Sequence, residues 1–417
     1  MPSLSNSHLP RLLYLSDVPV EKSYHGSVLL YRLLEQYTPD KLRVIEGNIF
    51  RSQTDRRLPG VAYRTYRQGW ARLQYTRFFP LFAAGLMFTG NWRTGRVERL
   101  LEGFVPEAVL TVTYFYSWTT AAALAAKLGI PLHLILHDEC IDTTLLPKWA
   151  KPHAHRIFGN IYRQAASRLC VSPFMAEEYS GRYRARGEVL FPCRAADAQI
   201  FPTVPGRMGQ AGGDQPLVVA FGGTVNCEGT KRALAMTAKA LEAVGGKLKI
   251  FGPIDAERAR ANGLGGGNIE FRGSLNSDAF KQALRNEADV LLVPMNFDPE
   301  EATNTRISFP SKLADYTSVG LPMLIFGPDY CSGVRWARDN APVAEVVARE
   351  DAQELTAALE RLRLPEHRQR LAHAALRKGD EFFAHARAAE QFLACLRRQP
   401  LSRKHRGLMD PSGVLSA

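Results

Sequence analysis

Short apolar runs alternate with amphipathic stretches through nearly the whole 417-residue sequence, break off once, and then begin again. The first run, Arg11 to Ser16 (RLLYLS), ends in Asp17, and after the loop VPVEKSYHG the segment SVLLYRLLEQY carries apolar residues at helical spacing. This predicts strand, loop, helix. AVLTVTY (108–114) precedes the Ala-rich stretch TTAAALAAKLG, whose C-terminal end is marked by Gly129, and PLHLILHDE (131–139) reads as the next strand. ASRLCVS (166–172), PFMAEEYSGRY and EVLFPC (188–193) repeat the unit. Strand and helix in alternation predict a parallel sheet covered on both faces.

The break falls between Thr203 and Pro216, where TVPGRMGQAGGDQP is rich in Gly, Pro and Gln and reads as a linker. Beyond it come PLVVAFGG (216–223), a helix over 230–244, KLKIFG (247–252), NIEFRG (268–273), a helix over 277–286, DVLLVPM (289–295), a helix over 311–319 and PMLIFG (322–327). A chain of this length can bury two cores. The expected architecture is therefore α/β, with two Rossmann-like domains in tandem, over residues 1–205 and 206–380. Residues 381–417 read as a C-terminal helix with a basic tail (RRQPLSRKHRG) expected to be disordered.

Apolar residues make up 46% and charged residues 23%, the balance of a globular protein rather than a disordered one. The six cysteines, at 140, 170, 193, 227, 331 and 395, form no CxxC pair and have no His at ligand spacing. Neither a disulfide framework nor a zinc site is expected. The start, MPSLSNSHLPRLLYLSD, lacks the pattern of a signal peptide, and no apolar run approaches the roughly 18 to 20 residues that span a bilayer, so the expected location is cytoplasmic. The net charge of +12 is concentrated, because residues 51–100 hold ten Arg against Asp55 and Glu98, a balance of +8. Tyr63, Tyr66, Trp70, Tyr75, Phe78, Phe79, Phe82, Phe88 and Trp92 are interleaved with them. Residues 63–93 therefore suit an anionic membrane surface, which would make the protein peripheral on the inner face of the plasma membrane. The same composition suits the outer face of a core, and no recognition motif points to nucleic acid.

In open parallel sheets, ligands bind beyond the carboxyl ends of strands, where glycine turns and helix N-termini present free N–H groups. Two such loops stand out. In FGGTVNCEGTKRAL (221–234), Gly222 and Gly223 allow backbone to approach a ligand while Lys231 and Arg232 bring positive charge to the next helix, as a diphosphate would need. An ordinary strand-to-helix turn has the same appearance. In SFPSKLADYTSVGLPMLIFG (308–327), Ser311 is placed to cap a helix, Lys312 lies in its first turn, and Asp315 stands where a carboxylate could accept from ribose hydroxyls. Asp315 could equally do no more than complement the helix dipole.

The segment FPSKLADYTSVGLPML resembles the donor site of family 4 glycosyltransferases, a retaining family with the GT-B fold, in which two Rossmann-like domains face each other across a cleft. The resemblance implies that Asp315, five residues before Gly320, takes the place of a family Glu that binds the donor ribose. The family's earlier Glu would fall on Ile307, which cannot serve; Asp298, Glu300 and Glu301 in NFDPEEATNT could substitute or could form a solvated loop. FGGTVNCEGTKRAL is similar to the family loop where a basic pair grips the diphosphate, with Thr224 where many members have Arg. By the same resemblance YHGSVLLYRLL places Gly26 near the donor, Pro310 lies in the donor segment, and His137 with Asp138 faces the transferred sugar. A strand-end His is also a common structural residue.

The resemblance implies a hexosyltransferase that moves a sugar from a nucleotide-diphosphate sugar to a saccharide or lipid-linked acceptor in bacterial polysaccharide or lipopolysaccharide synthesis. It further implies retention of configuration, with no cofactor beyond the donor. No DxD motif stands in a donor-site loop, so metal independence is expected. Two other readings fit the sequence: a nucleotide-sugar epimerase, and a non-catalytic nucleotide-binding scaffold of a polysaccharide assembly complex.

Overall fold

A computed structural model describes residues 9–22, 26–69, 71–205, 215–225, 227–261 and 263–399. Most of the expected linker, Trp70 and most of the basic tail lie outside the described residues. The described chain forms two compact units, one of residues up to 190 together with those from 388 onward, the other of residues 191–387.

The first unit is built on seven strands, β1 (Leu12–Ser16), β2 (Leu42–Gly47), β3 (Ala62–Tyr66), β4 (Ala108–Val112), β5 (Leu132–Leu136), β6 (Ser167–Cys170) and β7 (Glu188–Val189). They run parallel in the order β3-β2-β1-β4-β5-β6-β7. All five residues of β1, β4 and β5 are buried, which explains why these strands read as unbroken apolar runs: helices cover both faces. The helix Ser117–Leu128 ends, as its sequence implies, at Gly129 with φ +69°, and Pro173–Tyr183 is capped by Ser172, whose hydroxyl accepts from Met175 N at 3.0 Å.

The second unit has six parallel strands, β8 (Val218–Gly222), β9 (Lys247–Phe251), β10 (Ile269–Gly273), β11 (Val290–Pro294), β12 (Met323–Phe326) and β13 (Glu345–Val347), in the order β10-β9-β8-β11-β12-β13. One core of this unit gathers Val219, Phe221, Leu234, Leu248, Ile250, Leu292 and Leu324 beneath the helices Glu228–Ala243 and Ala352–Arg363. In each sheet the order reverses beside the first strand, between β1 and β4 and between β8 and β11. In open parallel sheets such reversal points are where ligands bind, because the loops leaving the two strands run in opposite directions.

Several local expectations fail. β2, β3 and β13 have no counterpart in the sequence reading, nor does the helix Lys151–Gln164. Tyr63 and Tyr66, expected on a lipid-facing surface, are buried side chains of β3; Tyr63 donates to Val20 O at 3.0 Å and Tyr66 pairs with Ser117 Oγ at 2.7 Å. EVLFPC yields only the two residues of β7, because from Phe191 the chain already belongs to the second unit.

Candidate functional site

At the end of β8 the backbone is held from two sides. Gly222 N–H donates to the hydroxyl of Tyr316 at 2.8 Å, and Gly223 N–H donates to Phe251 O at 2.9 Å. Gly223 has φ +142° and Gly252, at the end of β9, has φ +146°. A Cβ on Gly252 would fall 2.2 Å from Gly223 O, so these two turns touch backbone to backbone and only glycine fits.

Lys312 reaches the same turn from the other side. A Cβ on Gly223 would lie 2.9 Å from its Cε and 3.1 Å from its Nζ, and Nζ stands 5.2 Å from the centroid of the Phe221 ring. No hydrogen bond or ion pair joins this ammonium to any described residue. Burial lowers its affinity for the proton, opposed only by the nearby Cys227 thiol. A partly buried cation without a counterion, resting on a glycine turn beside a sheet's reversal point, is suited to an anion with several oxygens.

The other expected cations are already engaged. Lys231 Nζ lies 2.5 Å from Glu228 Oε1, and Arg232 is held between Asp298 at 2.6 Å and Glu350 at 2.5 Å. Asp298 is thus tied to Arg232 rather than free to replace the missing family carboxylate, while Glu300 and Glu301 lie exposed in the turn Pro299–Glu301. Thr224 is half-buried just past Gly223.

Ser311 does not cap. It has helical angles, φ −57° and ψ −22°, where a capping residue needs extended ones, and its side chain makes no capping bond. The helix it precedes spans only Lys312–Tyr316, shorter than the 311–319 expected. Pro310 packs near Gly333, whose Cβ would meet the Pro310 ring at 3.2 Å. Asp315, half-buried one turn from Lys312, accepts Ser318 Oγ at its backbone carbonyl at 2.6 Å. Ile307 is almost fully buried, as an apolar side chain in that place should be.

In the first unit, β5 delivers His137 beside Gly26 at the start of the helix Gly26–Leu34, where a Cβ would sit impossibly close to the ring. Gly26 is therefore required by the imidazole that packs on it. Burial pushes the His137 pKa down to about 4, so the ring is neutral near pH 7, and its buried Nε2 has no partner among the described residues. Asp138 follows, half-buried.

Two buried carboxylates carry more of this unit's geometry than the sequence revealed. Asp17, at the β1–β4 reversal, accepts from the backbone N–H groups of Tyr116 and Ser117 at 2.9 and 2.7 Å, from Ser117 Oγ at 2.8 Å and from Gln68 Nε2. Glu139 accepts from Ile141 N at 2.9 Å, Asp142 N, Thr143 N at 3.3 Å and Arg182 at 3.2 Å. Burial raises the pKa of both, against these hydrogen bonds. The signal for Asp17 was present, a carboxylate ending the first strand, but its partners lie about a hundred residues away.

Among the described residues no group of three or more His, Cys, Asp or Glu side chains is placed to hold a metal ion. No helix among them is long and apolar enough to cross a membrane.

Residues 39–193 match the family described as "Glycosyl transferase 4-like domain". No curated protein matches the sequence. Among solved structures, HepE from Anabaena in complex with UDP superposes with a TM-score of 0.65 at 12% identity, covering 92% of this chain and 99% of that one. Sucrose-phosphate synthase from Thermosynechococcus elongatus gives 0.63 at 16% identity, covering 95% and 98%. WaaG, a glycosyltransferase involved in lipopolysaccharide biosynthesis, gives 0.58 at 14% identity, covering 91% and 99%. At such identities the likeness is one of fold. The chain thus has the GT-B fold and resembles the family 4 glycosyltransferases, its match to the glycosyl transferase 4-like domain lying over residues 39–193.

Proposed function

We propose that this protein is a glycosyltransferase that takes a hexose from a nucleotide-diphosphate sugar and passes it, with retention, to a saccharide or lipid-linked acceptor of bacterial polysaccharide or lipopolysaccharide synthesis. The observation that carries the reading is the unpaired ammonium of Lys312 over the Gly222–Gly223 turn. With Lys231 and Arg232 already engaged by carboxylates, Lys312 is the cation assigned to the diphosphate, and Asp315 the carboxylate assigned to the ribose. That HepE was solved with UDP and with UDP-glucose supports a uridine donor.

In the proposed reaction the bond between the anomeric carbon and the diphosphate oxygen breaks as the acceptor hydroxyl oxygen attacks the same face. The hydroxyl proton passes to the departing diphosphate. No protein nucleophile is needed, and the protein's part is to stabilise charge on the leaving group. His137, neutral and with a free Nε2, is assigned to turnover rather than to nucleotide affinity. His137→Ala should therefore lower kcat much more than it weakens nucleotide binding; equal losses would sink that role.

The test is calorimetric binding of UDP, GDP, ADP and CMP to the wild type and to Lys312→Ala. One nucleotide should bind, and the substitution should weaken it about tenfold or more, ~1.4 kcal/mol. No binding even at millimolar concentration would refute the donor site. Ile307, buried where the family has a carboxylate, favours one rival, a nucleotide-binding scaffold. Nucleotide binding without donor turnover in the presence of acceptor saccharides would decide for it.

A further inference from the structure

Exposed apolar side chains gather on two segments of the first unit that are far apart in sequence. Leu81 and Trp92 are 58% and 79% exposed, and Leu145 and Trp149 are 66% and 69% exposed. Contacts along the chain join them into one band. On the helix Phe79–Phe88, Leu81 and Phe88 are seven residues apart and share a face. Phe88 then meets His153 edge-on with ring centroids 4.9 Å apart. His153 lies one turn beyond Trp149, where the turn Lys148–Ala150 runs straight into the helix Lys151–Gln164. Trp92 follows Phe88 by four residues in the turn Gly90–Arg93.

The exposure is built in. Ile141 and Leu146 are buried and anchor the loop that holds Leu145 outward, and the backbone of that loop donates to the buried carboxylate of Glu139, itself held by Arg182. Exposed cations accompany both segments, Arg72 and Arg77 just before the helix Phe79–Phe88 and Lys148 and Arg156 on either side of Trp149 in sequence. Arg72, Arg77, Lys148 and Arg156 are exposed and form no ion pair among the described residues, and Asp142 is the acidic side chain that the second segment sets against them.

We propose that this face, with Leu81, Phe88 and Trp92 on one segment and Leu145 and Trp149 on the other, docks on the surface of an anionic lipid bilayer. Indole rings settle at the headgroup level, where an apolar body and a polar N–H are both accommodated, and exposed cations outside ion pairs match anionic headgroups. A protein partner of matching size would need acidic groups interleaved with an apolar patch; a bilayer supplies both along its whole area. The proposal deepens the acceptor half of the function above and rests on that reading only for what the bilayer presents. It narrows the face expected from sequence, since Tyr63 and Tyr66 are interior, and adds the segment after β5. That segment leaves the strand at His137, so docking would hold the stretch next to this residue at the lipid surface.

The test is co-sedimentation of the full-length protein with vesicles of phosphatidylethanolamine alone and with about a third phosphatidylglycerol. Binding should require the anionic lipid and fall at high salt. Trp92→Ser and the double variant Leu145→Ser/Trp149→Ser should each lower partitioning about tenfold. Brominated phospholipid should quench tryptophan fluorescence, less so in Trp92→Phe and in Trp149→Phe. Absence of vesicle binding by the wild type, or preference for duplex DNA over vesicles, overturns the proposal. Loss in Trp92→Ser with wild-type binding by the double variant overturns the two-segment surface. UDP calorimetry on the same proteins keeps the readings apart: the variants should bind UDP as the wild type does, and failure of the wild type to bind any nucleotide would defeat the donor reading while leaving the vesicle result to stand.

Discussion

Burial depresses the affinity of Lys312 for its proton, and a diphosphate seated against it would reverse the shift. Nucleotide binding should then take up protons in the pH range between the lowered pKa of the free protein and the higher one of the complex, and the uptake should fade outside that range. Calorimetry of UDP in buffers of different ionisation enthalpy measures this uptake, which should vanish in Lys312→Arg while binding persists. Two histidines give a second test. Burial pushes His133 and His137 down to about 4, whereas an unfolded imidazole titrates near 6.5. The unfolded chain therefore binds more protons across this window, and stability falls as pH drops through it, by roughly 2 kcal/mol per histidine between pH 7.5 and 5. His133→Asn, which can keep a partner for Ser167 Oγ, should remove about that much of the pH dependence in urea unfolding. An unchanged pH slope would show that His133 is not buried neutral. The meeting of Lys312 with Gly223 was only half legible: each loop announced itself by its glycines or basic residues, but their contact arises from strand order, which joins residues about ninety positions apart. Ser311 misled because capping depends on φ and ψ as well as on residue type.

Elements with continuous apolar runs were legible because both faces of a parallel sheet are covered, and β1, β4, β5, β11 and β12 all read that way. β3 was not. It lies at the edge of its sheet, and its residues AYRTY mix aromatic and basic types just as a surface segment does. Its Arg64 is held by both oxygens of Glu102, at 2.9 and 2.7 Å, a partner 38 residues away that no local pattern could supply. The helix Ser117–Leu128 depends on an equally remote group, since Asp17 satisfies two of its first N–H donors and offsets its dipole. Asp17→Ala leaves those donors, Ser117 Oγ and Gln68 with lost bonds inside the core and should cost about 3 kcal/mol. Urea unfolding followed by the fluorescence of Trp118, buried on that helix, would measure the loss. A change below about 1 kcal/mol would mean that other groups satisfy the helix start.

The chain passes from the first unit to the second at residue 191 and returns at 388, so the last helix, His385–Leu396, belongs mostly to the unit that the N-terminus begins. There Gln391 Nε2 donates to Val189 O of β7 at 2.7 Å, and Arg398 grips Glu188 with both guanidinium nitrogens. Ala388, Ala389, Phe392, Leu393, Cys395 and Leu396 are buried. Fully burying a Leu or Phe side chain contributes about 1.5 to 3 kcal/mol, so the three largest of these supply several kcal/mol, comparable with the whole stability of an ordinary domain. The exposed Arg398 pair contributes much less, on the order of 1 kcal/mol or below. A protein ending at residue 387 should therefore lose protease resistance across residues 9–190, whereas Arg398→Ala should leave it unchanged. Limited proteolysis with mass mapping reads both at once. Protection of the first unit in the truncated protein would mean that its seven-stranded sheet is stable without the returning helix. Loss of protection in Arg398→Ala alone would instead place the weight on the ion pair, against the ordering of burial over surface charge that the rest of the fold follows.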